Sequence, residues 1–152
     1  MTESWYLAEV HPNREAAVAF TMRCLDIEPF VPLILQTERI SARTRRKELN
    51  SRPLIAGYVF FRTDVSRVDD ANAIKDVRGL SVHEGEYITI PDRKMVQFIM
   101  AHDQWIADAR ASYRRGRLIK NTAPKAKFQK MTPELLKRFM ETYYGDTMQE
   151  AA

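Results

Sequence analysis

Leu54-Ile55-Ala56-Gly57-Tyr58-Val59-Phe60-Phe61 is the most apolar, β-prone run in this chain of 152 residues, and it reads as a central strand. Alternation along a strand sends Tyr58 and Phe60 to one side of a sheet and Val59 and Phe61 to the other. Both sides are apolar. One therefore covers the core, and the other needs a helix or a partner.

Upstream, Trp5 to Val10 is aromatic and β-rich and predicts a first strand. His11-Pro12-Asn13 breaks it, with Asn13 placed to cap a helix. From Arg14 to Asp26, Ala17, Phe20, Cys24 and Ile27 recur three and four residues apart, which predicts an amphipathic helix with Cys24 as a small buried hydrophobe. Glu28-Pro29 ends that helix, and Phe30 to Ile40 is an extended apolar segment. Ser41 to Arg52 is polar and sets Arg43, Arg45, Arg46, Lys47 and Arg52 against Glu48, as a hairpin tip or mobile loop between strands would.

Downstream, Asp64 to Val77 is weakly helical and Arg78-Gly79 is read as a turn. Leu80–Val82 and Tyr87–Ile90 flank a short hairpin at His83-Glu84-Gly85-Glu86. Pro91-Asp92 opens a long helix with Met95, Ile99, Ile106, Ala109 and Tyr113 on one face. His102 interrupts that face, and Gly116 is the natural stop. After an aperiodic stretch at 117–131, Thr132 as N-cap, Pro133 and Glu134 begin a last helix. Its apolar face is Leu135, Leu136, Phe139, Met140 and Tyr143, and Gly145 closes it. The order predicts an α+β sandwich: a mostly antiparallel sheet with flanking helices, followed by a helical extension. We place the domain at residues 1–104 and the basic, helical carboxy-terminal extension at 105–152.

The length suits one domain, since domains most often run to about 100–150 residues. Hydrophobic residues at 45% and charged residues at 29% leave enough apolar material for a core. No apolar run approaches the roughly 20 residues that span a bilayer, so no membrane partner is expected. A signal peptide is not apparent at the amino terminus. The single cysteine leaves no internal disulfide framework and points to the cytoplasm. The net charge of +4 is uneven: residues 1–100 are neutral, residues 101–131 carry +6 and residues 132–152 carry −2. A basic stretch of that kind favours phosphate backbones by counterion release, or else is a solvated linker.

His11, His83 and His102 are scattered, with no cysteine or acid at metal-ligand spacing, so neither a metal nor another cofactor is expected. The glycine-rich nucleotide loops and the hydrolase signatures are missing. Nothing nominates catalytic residues. A binding module, monomeric when free, is the expectation rather than an enzyme.

Six features in order carry a resemblance. They are Ser4-Trp5-Tyr6-Leu7, the helix after it, Phe30-Val31-Pro32, the basic loop leading into Pro53–Phe61, Val77-Arg78-Gly79-Leu80 and Ile90-Pro91. Together they resemble the amino-terminal (NGN) domain of the NusG family of transcription elongation factors, over roughly residues 4 to 100. The opening strand and Arg78-Gly79 are most similar to the RfaH branch. The resemblance implies an apolar surface for the clamp helices of the largest subunit of RNA polymerase, here Leu54, Ile55, Tyr58 and Phe60 around Gly57. Read from the residues alone, Phe60 stays open between core and interface, while Tyr58 is placed at the interface.

The resemblance also implies contact with the non-template DNA strand. Arg78 matches a DNA-contacting arginine, His11 aligns with a basic position after the first strand, and Arg14 lies near both. Arg114, Arg115 and Arg117, in the basic stretch, are candidates for upstream DNA or nascent RNA. There are departures. Ala56 stands where the family usually has proline. Asp70-Ala71-Asn72-Ala73 replaces the RfaH His-Thr-Thr segment, so that second polymerase contact is not carried over. Only Gly116 and Gly145 follow residue 100, with no run of short strands, so the family's KOW barrel is not expected. The implied function is antitermination or processivity by occupying the clamp site in competition with NusG, without recruitment through a KOW barrel, as would suit a phage or mobile element. A polymerase inhibitor using the same site is one alternative. A nucleic-acid-binding module independent of polymerase is another.

Overall fold

The strand beginning at Tyr58 lies inside a sheet covered on both sides, as its two apolar faces require. The computed structural model describes residues 2–41, 43, 45–119, 132–138 and 140. Its elements in order are β1 (Glu3–Val10), α1 (Glu15–Cys24), β2 (Glu28–Phe30), β3 (Leu33–Arg39), β4 (Lys47–Pro53) and β5 (Tyr58–Asp64). A 3-10 turn (Val65–Arg67) leads to α2 (Val68–Asn72), β6 (Val77–Leu80), β7 (Val82–His83), β8 (Glu86–Tyr87), β9 (Thr89–Ile90) and α3 (Asp92–Arg114). Residues 133–138 are helical as well.

The main sheet runs β2-β5-β1-β6, and β9 also pairs with β1. Every pairing is antiparallel, and β1 meets β5 from Glu3 opposite Asp64 to Glu9 opposite Tyr58. Tyr6, Ala8, Val59 and Phe61 face α1 and α2, where they bury Val18, Met22, Val68 and Ala71. Trp5, Leu7, Tyr58 and Phe60 face α3 and bury Met95, Phe98 and Ala101, joined by Leu136 and Met140 of the last helix. β3 and β4 form a separate two-stranded ribbon, in register from Leu33 opposite Pro53 to Arg39 opposite Lys47.

Several local expectations are corrected. The buried stripe of α1 is Glu15, Val18, Ala19 and Met22. Phe20 is 65% exposed and Cys24 is exposed too. The pattern of large apolar residues pointed one step around the helix, because the buried stripe begins with a charged residue. Asn13 does not cap α1; it adopts the left-handed conformation at φ 69°, and Arg14 is the N-cap residue.

Strand β5 begins at Tyr58, and Leu54 to Gly57 form the bend that enters it. Arg78-Gly79 lies within β6 rather than in a turn. Gly79 sits opposite Glu9 beside a register shift, with φ 156°. Polar residues 47–52, read as a tip or loop, belong to β4. α3 runs unbroken through residue 104 and ends at Arg114, with Gly116 at φ 83° just beyond. Of its anticipated face Met95, His102 and Ala109 are buried, and Phe98 joins them.

The last helix starts as its sequence predicts: the Thr132 hydroxyl accepts the Leu135 N–H at 3.2 Å, and the Thr132 carbonyl accepts from Leu136 at 2.9 Å. Phe139, Tyr143, Gly145 and the aperiodic stretch 120–131 fall outside the described residues.

Candidate functional site

The bend before β5 is held by contacts distant in sequence. Gly57 has φ 84°, a conformation that favours glycine. Its N–H donates to Glu15 Oε1 at 2.8 Å, and its carbonyl accepts from Val10 N–H at 2.8 Å. Glu15 is only 4% exposed, so its carboxylate is a buried acceptor fixed to this turn. The turn in turn sets Tyr58 and Phe60 on the α3 side of the sheet.

There, Phe60 lies edge-on to Phe98 with ring centroids 5.9 Å apart. Phe30 meets Phe98 at 5.8 Å and His102 at 5.0 Å. Leu54, Ile55, Tyr58 and Phe60 are all brought together in this cluster, at 7%, 5%, 2% and 0% exposure. They are core residues in this conformation. Leu136 and Met140, at 4% and 6%, belong to the same cluster. Beside them a groove of about 320 Å³ runs between Ile90, Pro91 and Lys94 on one side and Pro133, Leu136, Lys137 and Met140 on the other.

His102 closes the cluster near β3. Its Nε2 accepts the Leu33 N–H at 3.0 Å, and its Nδ1 lies 3.0 Å from Asp103 Oδ1. The ring therefore holds its proton on Nδ1 and is neutral. Burial lowers its pKa below 6.5, outweighing the opposite pull of Asp103.

The six cations singled out by sequence separate into two groups. His11, Arg14 and Arg78 gather where β1 ends beside the edge strand β6, and all three are exposed. Asp76 sits among them: its carbonyl accepts the His11 N–H at 2.9 Å, and its carboxylate pairs with Arg14 Nε at 3.0 Å. Part of the Arg14 charge is thus neutralised. Arg114, Arg115 and Arg117 lie instead at and just beyond the carboxy-terminal end of α3, all exposed, where neighbouring residues tie the chain to the β3–β4 ribbon. The Tyr113 hydroxyl donates to the Lys47 carbonyl at 3.0 Å. Ile119 and Thr37 exchange hydrogen bonds of 2.9 Å.

Sequence reading placed the ribbon cations in a hairpin tip or mobile loop between strands. The signal that could have found them is the density of arginine between Arg39 and Arg52. Among the described residues no group of three or more His, Cys, Asp or Glu side chains could hold a metal ion. No helix among them is long and apolar enough to cross a membrane.

A family model described as transcription termination factor NusG matches residues 3–99, more than half of the chain. Among solved structures, one titled "Domain interaction in Thermotoga maritima NusG" is similar at 20% identity and a TM-score of 0.41, covering 64% of this chain and 55% of that one. The chain thus spans about half the length of that structure. No match was found among curated proteins.

Proposed function

The chain belongs to the NusG family, and from that premise we propose that it is a transcription elongation factor that binds the clamp helices of the largest subunit of multisubunit RNA polymerase. In this reading it promotes processivity or antitermination in competition with NusG. The family match over residues 3–99 carries the proposal. The apolar cluster built on β5 supports it, because an aromatic-rich seat can receive a helix pair and aromatic anchors dominate interface energies. Leu54, Ile55, Tyr58 and Phe60 are the seat. The exposed edge at His11, Arg14 and Arg78 is the proposed contact for the non-template DNA strand.

The seat is buried, so binding through it requires the cluster to open. Leu136 and Met140 are the members contributed by the last helix, and burying each contributes about 1.5–3 kcal/mol. A pair of interface anchors, at roughly 2 kcal/mol or more each, is of the same order as that loss. Leu136→Asp should therefore tighten polymerase binding. Weaker binding would mean that the last helix is part of the contact surface.

The function is tested on reconstituted elongation complexes carrying bound NusG. The reading expects the chain to displace NusG and lengthen transcripts through pause and termination sites. Retention of NusG at saturating chain would overturn it, and shortened transcripts with displacement would make the protein an inhibitor at the same site.

A further inference from the structure

The groove beside the seat cluster has an apolar floor and a cationic rim. Ile88, Ile90, Leu136 and Met140 line it, and Lys94 and Lys137 stand on its two walls. Both lysines are exposed, and among the described residues neither has an ion-pair partner. Asp92, two residues before Lys94, does not neutralise it: its carboxylate accepts from Trp5 Nε1 at 3.1 Å and pairs with Arg62 Nε at 3.4 Å. Pro91, the N-cap residue of α3, lies on the same wall as Lys94, and no side chain caps that helix. The positive end of the α3 dipole therefore adds to the field of the two amines.

The charge is also directional. Beyond Ile88, Thr89 and Pro133 the groove passes into a polar recess that carries Glu84 and Glu86. Like charges repel an anion from that side, so a negative group is favoured at the lysine side and an uncharged body along the floor. The volume of about 320 Å³ is at the small end of the range that small ligands fill, roughly 300–1,000 Å³. It has room for one linear apolar chain but not for a helix, which is about 10–12 Å across.

We infer that this groove is a binding site for a small amphiphilic anion, an unbranched apolar chain ending in one carboxylate or phosphate, with the head group between Lys94 and Lys137. Its two walls come from parts of the chain far apart in sequence, residues 88–94 and residues 133–140. Leu136 and Met140 also belong to the cluster that holds Leu54, Ile55, Tyr58 and Phe60. A ligand that touches both walls therefore stabilises that cluster in its closed form by mass action. The site itself stands apart from the function proposed above; only the step from a closed cluster to weaker polymerase binding rests on that reading.

The test uses the full chain without polymerase. Isothermal titration is run with octanoate and with octyl phosphate, below their micellar ranges, and the pair reports which head group is preferred. Saturable binding at one site per chain is expected, and affinity for the carboxylates should fall by about fourfold for each methylene removed from octanoate to butyrate. Octylamine should bind more weakly than octanoate. Lys94→Gln/Lys137→Gln removes only exposed charges and should weaken octanoate about three- to tenfold, with octanol affinity unchanged. Octanoate should also slow amide hydrogen exchange at Leu135 and Leu136, whose N–H groups bond Thr132 at the start of the last helix. No saturable binding would overturn the inference. So would equal affinity for octanoate and butyrate (an ion on two lysines only), octylamine binding as well as octanoate, an undiminished double variant, or unchanged exchange at Leu135 and Leu136. Each of these would leave polymerase binding, measured separately, intact.

Discussion

The main sheet and the β3–β4 ribbon are both antiparallel, yet they are built on opposite principles. β5 buries Tyr58, Val59, Phe60 and Phe61 completely, two on each side, and every one of them meets a helix or a neighbouring strand. β4 buries nothing fully, and its pairing with β3 rests on the backbone ladder and the end of α3. Stability is concentrated where side chains alternate between two dry layers. Charge is concentrated where the ladder has no second layer to support. A surface freed from packing can carry charged side chains at little cost to the fold, and here those are arginines.

Truncation in the sheet should have the largest effect. Phe60→Ala removes a ring in contact with Phe98 and Phe30 and should lower stability by about 3–5 kcal/mol in urea unfolding. A loss below about 1 kcal/mol would erase the contrast. Next comes the turn that feeds the sheet. Glu15→Ala strands the buried Gly57 N–H and should lower stability by about 1–3 kcal/mol. Equal stability would show that water replaces the carboxylate.

A smaller effect is tied to pH. His102 is neutral in the folded chain with its pKa below 6.5, whereas the unfolded chain takes up a proton near 6.5. Its contribution is full above 6.5 and shrinks as pH falls toward the lowered folded value, since the unfolded state then binds more protons. Urea midpoints measured from pH 7.5 to 5 should fall, and His102→Gln should flatten that fall. Identical slopes in parent and variant would place the dependence elsewhere. The smallest expected effect is in the ribbon: Arg43→Gln should change stability by no more than about 0.5 kcal/mol. A larger change would mean that the ribbon tip supports the fold.

What the sequence made legible follows the same division. The Tyr58–Phe61 alternation, the Gly116 stop and the Thr132 cap depend on residues within a few positions, and each is found where it was read. The α1 stripe was misplaced because Glu15 owes its burial to Gly57, 42 residues away. β4 was missed because Lys47–Pro53 has no apolar alternation of its own; its register comes from β3. Motif order pointed to the family, which the match over residues 3–99 shows. Leu54, Ile55, Tyr58 and Phe60 do lie together around Gly57, but their burial depends on α3 and on a helix beginning more than seventy residues later. The cations could be named but not sorted, since only the fold separates the β6 edge from the end of α3.

Binding to core polymerase with and without its clamp helices tests the central claim most directly. The account predicts that the intact enzyme retains the chain and that deleting the clamp helices abolishes retention. Tyr58→Asp should weaken it on the intact enzyme, provided that circular dichroism shows the variant folded. Undiminished retention by the enzyme lacking its clamp helices would contradict the account.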